Sequence, residues 1–168
     1  MSLSIYRASI PVLIRAFENL GAVLAKAEAH AAARNIDPAI FTGARLAPDM
    51  HPLFRQVHLA SDSAKGCAAR LAGIENPSFA DTEKTFPELQ ARIAKTVTFL
   101  RAVTEAQLAG AEDRMITLNL GTREANFTGA DYLFNFVLPN FFFHIATAYD
   151  ILRHNGVEIG KLDYLGRL

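Results

Sequence analysis

Apolar residues recur at alternating spacings of three and four along most of this chain. Ile10, Leu13, Phe17, Leu20, Leu24, Ala27 and Ala31 form the first such stripe. It predicts an amphipathic helix over roughly residues 4–33, with one face buried. Pro11 either kinks this helix or lies in its first regular turn, and Asn35-Ile-Asp-Pro38 ends it. A second stripe, Met50, Leu53, Val57, Ala60, Ala64, Cys67 and Leu71, predicts a helix over about 49–71. Asp49 is its expected N-cap and Gly73 its stop. The third stripe, Phe86, Leu89, Ile93, Leu100 and Val103, runs to about residue 108. Thr85-Phe-Pro-Glu88 opens it as a capping box. Between 109 and 130 the period changes. Met115-Ile-Thr-Leu-Asn-Leu120, Gly121 and Arg123-Glu-Ala-Asn-Phe127 suit a short β-hairpin or an extended crossover.

Residues 127–156 predict a fourth helix, starting at Thr128 or Asp131, stopping at Asn155-Gly156 and apolar almost all round. It holds 6 of the chain's 12 phenylalanines, so it must pack on more than one side. Asn135, Pro139, Asn140, His144, Thr147 and Asp150 interrupt the apolar run, which reads as a core helix and not a membrane span. Consecutive helical residues point ~100° apart, so Phe141, Phe142 and Phe143 cannot all face one core. A homodimer contact would cover the remainder. The tail from Val157 to Leu168 reads as an irregular strap on the bundle. The expected fold is an all-α four-helix bundle, one domain over 1–168, with a long crossover (possibly a short β-hairpin) between the third and fourth helices.

Composition narrows the classes. A length of 168 residues suits one hydrophobic core. Lys plus Arg equals Asp plus Glu at 17 each, and no basic block occurs, so neither nucleic acid nor an acidic membrane surface is an expected partner. The lone Cys67 and the absence of a signal-peptide pattern point to a cytoplasmic setting. Nucleophile-elbow, P-loop, dinucleotide and His-Glu-x-x-His motifs do not occur. Cys67 lies on the second stripe and reads as core. Asp81, Glu83 and Glu88 cluster before the third helix, where capping explains at least one of them.

Five histidines remain: His30, His51, His58, His144 and His154. His51 and His58 stand ~10 Å apart along one helix, and His144 and His154 ~15 Å apart along another, so neither pair can share a metal. A shared site would take one imidazole from each helix. A hydrolytic zinc site needs three protein ligands. The position four after His144 is Ala148, which has no donor, whereas Asp62, four after His58, could supply a carboxylate. Such a site would pair His144 with His51 or His58 and take Asp62 or water as a third ligand. The alternative for His144 is a core histidine bonded to a neighbouring helix. For His51 and His58 it is partly exposed polar groups beside the stripe. His30 and His154 read as helix-end residues.

Several segments resemble a family known only as domain of unknown function number nineteen ninety-three. They are Leu46-Ala-Pro-Asp-Met50, Arg70-Leu-Ala-Gly73, Asp81-Thr-Glu-Lys-Thr-Phe86, Glu88-Leu-Gln-Ala-Arg92, Phe127-Thr-Gly129, Asp131-Tyr-Leu133, Leu138-Pro-Asn-Phe141, Phe143-His144 and Ile151-Leu-Arg-His-Asn-Gly156. More distantly, the chain is similar to the DinB/YfiT-like four-helix bundles. That resemblance implies a dimer and a divalent metal such as Zn or Ni. The metal would be held by one histidine near the start of helix 2 and two on the last helix, spaced His-x-x-x-His. Characterised relatives include thiol-dependent transferases and isomerases. His58 resembles the helix-2 ligand and His144 the first ligand of the last helix, while Ala148 stands in place of the second. In the closer family Gln and Phe are usual at the positions of His58 and His51, so both histidines depart from its pattern. The expected function is a small-molecule-binding or interaction module with a degenerate metal site. The alternative is a divalent-metal-dependent hydrolase or thiol transferase.

Overall fold

The structure is a computed structural model and describes residues 4–119, 121 and 123–166. Helix α1 (Ile5–Ala33) starts where the Ser4 hydroxyl accepts the Arg7 N–H at 3.2 Å. Pro11 sits inside α1 on its exposed side. A helical turn, α2 (Pro38–Thr42), follows where the sequence suggested only a stop. Pro38 presets its first turn, and the Asp37 carboxylate accepts the Ala39 N–H at 2.9 Å. Helix α3 (Leu53–Ala72) begins later than its stripe suggested. Asp49 lies in a turn and does not cap it; Pro52, extended at ψ 166°, is the last residue before the helix. The end is as expected: Gly73 turns left-handed at φ +67°, and the Ile74 N–H reaches back to the Ala69 carbonyl at 3.0 Å.

Helix α4 (Phe86–Ala102) is capped by Glu88, whose carboxylate accepts the Lys84 and Thr85 N–H groups, each at 2.9 Å. It stops at Ala102 and not near residue 108. The Gln107 side chain accepts the Thr104 N–H at 2.8 Å, which takes that donor from the α ladder and leaves a separate 3₁₀ turn, Glu105–Leu108. The crossover is a hairpin. Strands β1 (Met115–Asn119) and β2 (Glu124–Thr128) pair antiparallel, with Ile116 opposite Phe127. Ile116 and Leu118 are buried. Leu120, expected in this hairpin, lies outside the described residues, as do residues 167–168 of the tail.

The last long helix is not uniform. It opens with α5 (Gly129–Asp131), widens into a π-helical stretch at Tyr132–Val137 and continues as α6 (Leu138–His154). Pro139 explains the widening, because it can offer no N–H to the carbonyl one turn back. The tail is more ordered than a strap. Its Lys161–Leu165 form α7 on the surface of α1, held by Arg15 and Asn19 donating to the Leu165 and Tyr164 carbonyls, each at 3.0 Å.

Helix α3 packs chiefly on α6 and α4, and α1 on α4 and α6, so the four long helices close around one core. Phe17 and Phe141 meet edge to face there, with ring centres 5.2 Å apart. Among the described residues only α1 is long and apolar enough to cross a membrane by length and composition. It buries its stripe in the bundle and exposes Arg7, Arg15, Glu18 and Lys26. The Phe triplet divides as the helical angle requires: Phe141 is buried, Phe142 partly buried and Phe143 exposed.

Candidate functional site

Polar chemistry gathers on two sides of α3. The first centre is Arg92 on α4, whose side chain is fully buried. Its Nε donates to Ser61 Oγ at 2.8 Å, one terminal nitrogen to the Ala80 carbonyl at 2.9 Å, and the other to Asp62 at 2.9 Å and Asp81 at 3.2 Å. Glu83 lies 3.3 Å away and Arg55 pairs with Asp81. A buried guanidinium survives only when its donors are met in this way. Arg92 thereby fastens the 74–85 loop onto α3 and α4. Thr96 extends the network, its hydroxyl 2.8 Å from both Ser61 Oγ and the Arg92 carbonyl.

His58 is enclosed beneath that loop, only 1% exposed. Its Nε2 lies 3.2 Å from a Glu83 carboxylate oxygen, yet neither ring nitrogen has an aligned hydrogen-bond partner. The contact is a close approach and not a hydrogen bond. Desolvation pushes the His58 pKa below its usual value, and the attraction of Asp81 and Glu83 does not restore it against Arg92 and Arg55.

The second centre lies where α3 meets α6. His144 Nδ1 is 2.8 Å from Gln56 Oε1, and Gln56 Nε2 donates to the His51 carbonyl at 2.9 Å. That second bond orients the amide, so His144 Nδ1 carries the proton and Nε2 is left as an acceptor. Desolvation, helped by the nearby His51, lowers the His144 pKa to about 4. The imidazole is neutral at pH 7.

The sequence-predicted set is thus divided. His58 and Asp62 belong to the Arg92 network. His144 belongs to Gln56, whose amide also donates to the His51 carbonyl. Gln56 and His58 are two residues apart on a helix, roughly 200° around its axis, which is why one serves α6 and the other the loop. Among the described residues no three His, Cys, Asp or Glu side chains are grouped to hold a metal ion. The divalent metal implied by the resemblance does not fit the first centre, where Arg55 and Arg92 already neutralise the carboxylates. The second centre offers two imidazoles and an amide, short of the usual three strong ligands. Cys67 is fully buried, and burial pushes its thiol up to about 12. Sequence reasoning missed Arg92 and Gln56. Both lie off the apolar stripes, and an arginine or glutamine on a helix ordinarily reads as solvated.

Comparison with known proteins agrees with this architecture. The family described as Domain of unknown function (DUF1993) matches residues 5–165. A crystal structure of a DinB family member protein from Shewanella denitrificans is similar at 40% sequence identity and a TM-score of 0.92, over 98% of this chain and 93% of that one. Comparison with curated proteins finds no match.

Proposed function

The chain belongs to the DUF1993 family, with a DinB-like helical bundle, and on that premise we propose that it is a small-molecule-binding or interaction module. The observation that carries this reading is the separation of the two candidate imidazoles, His58 enclosed beside Glu83 and His144 bonded to Gln56. The competing reading is a divalent-metal-dependent hydrolase or thiol transferase. The feature that would favour it is the nearness of His51 to His144, felt as a charge that lowers the His144 pKa.

Metal analysis of protein purified without a histidine tag separates the two. The binding module is expected to contain no stoichiometric Zn, Ni or Mn, and to keep its melting temperature when they are added. Stoichiometric metal, lost in His144→Ala while the helical circular dichroism persists, would overturn the binding reading. We also propose that the module works as a cytoplasmic homodimer. Phe134 and Phe143, 50% and 55% exposed on the last long helix, support a second copy as the partner.

A further inference from the structure

Next to the Arg92 network, with which it shares Asp62, the C-terminal half of α3 and the start of the 74–85 loop form a polar surface pocket of about 390 Å³. We propose that this pocket binds a small oxyanion, the phosphate or carboxylate group of a small-molecule ligand, between Lys65 and Arg70 on α3 and Asn76 and Ser78 on the loop. This deepens the binding reading above by giving it a ligand class, and it rests on that reading.

Arg70 is held ready for such a group. Its side chain folds back along α3 over Gly66, where an added Cβ would come 2.3 Å from a guanidinium nitrogen. A glycine inside a helix costs stability, and here it makes room for that cation. The Tyr132 hydroxyl accepts one Arg70 N–H at 3.1 Å, its one hydrogen bond within the described residues. A cation in the last turn of a helix ordinarily serves the terminal carbonyls. Arg70 points the other way, and Arg114 takes that role by donating to the Leu71 carbonyl at 2.7 Å.

Lys65 supplies a second fixed charge. It is 4% exposed, donates to the Pro77 carbonyl at 2.8 Å and pairs with Asp62 at 3.1 Å. Asp62 is the one acidic residue on the pocket wall, and Arg92 also holds it, at 2.9 Å. Three cations converge on the Phe79 ring at the rim: Lys95 at 4.0 Å, Lys65 at 4.6 Å and Arg92 at 5.2 Å from its centre. Arg92 is already matched by Asp62, Asp81 and Glu83, so the charge offered to a ligand is that of the pocket wall, where Lys65 and Arg70 face the single carboxylate of Asp62 and leave a net positive charge that suits an oxyanion. Arginine's planar fork suits phosphate and carboxylate alike.

Calorimetric titration of the untagged full chain with inorganic phosphate, and separately with succinate, tests this at constant ionic strength set by chloride. Saturable one-to-one binding is expected for at least one probe, and the stronger probe decides between phosphate and carboxylate. Arg70→Gln is expected to weaken it at least tenfold. Gly66→Ala keeps every charge but displaces the guanidinium, and is expected to weaken binding while the protein stays folded. Arg34→Gln, at a remote surface pair, leaves binding unchanged. No saturable binding of either probe, or binding retained in both Arg70→Gln and Gly66→Ala, would overturn the proposal. Metal content is measured on the same preparation. Stoichiometric metal would overturn the binding-module reading while leaving the anion titration standing, so the two failures are distinguishable.

Discussion

Arg92 and His58, both buried, and the partly buried His144 meet their surroundings in opposite ways. The burial of the Arg92 guanidinium is compensated by Ser61, Ala80, Asp62, Asp81 and Glu83, which surround its donors. His58 and His144 lose their charge because desolvation outweighs the partners each one has. This sets a pH dependence. Both imidazoles are neutral in the fold, whereas the unfolded chain protonates them near pH 6.5. Below that pH the unfolded state binds more protons, so stability is full above about 6.5 and falls as the pH drops. The part due to His144 levels off below about 4. The urea midpoint is expected to decrease from pH 7 to pH 5, and His144→Gln to flatten part of that decrease. A midpoint constant across this range would contradict the neutral buried imidazoles.

At the scale of elements, the ends of helices are set by single residues. Thr128 caps the last long helix, its hydroxyl accepting the Asp131 N–H at 3.2 Å. Gly129 follows in a different role. A Cβ there would lie 1.8 Å from the Ala111 carbonyl oxygen, so the 111–114 turn rests directly on the helix start. Thr128→Ala is expected to cost about 1 kcal/mol through the lost cap. Gly129→Ala is expected to cost more, up to about 3 kcal/mol, because a backbone and not a flexible side chain must move. Denaturant melts of the two variants check the order; equal losses would refute the close approach. The same elements show how far local pattern reaches. The stripes and the Glu88 cap were legible in the sequence. The late start of α3 at Pro52 and the break at Thr104 were not, since Asp49 and the continuing apolar spacing gave competing local signals.

At the scale of the whole molecule, the last long helix leaves Phe134 and Phe143 exposed. A homodimer predicts a solution mass of twice 18.4 kDa by light scattering at micromolar concentration. Phe143→Asp, placing a charge at a position that is 55% exposed, is expected to yield a folded monomer. A wild-type monomer at that concentration would count against this interface. The bundle itself does not depend on the outcome, because α1, α3, α4 and α6 already bury one another's stripes.

By itself the sequence determined the four long helices, the burial of Cys67 and the splitting of Phe141, Phe142 and Phe143 between core and surface, and it narrowed the crossover to a hairpin or an extended segment. These follow from the 3.6-residue period and from caps, which act over a few residues. It also offered His58, Asp62 and His144 as chemically interesting. Only the tertiary structure decided their company. Helical geometry puts Gln56 and His58 on opposite faces of α3, but the order of packing chose α6 for one and the 74–85 loop for the other. The partner of His144 lies 88 residues away in the chain. Arg92 has no local signature as a core residue. Its burial follows from three carboxylates that folding brings to it, and no periodicity records that convergence.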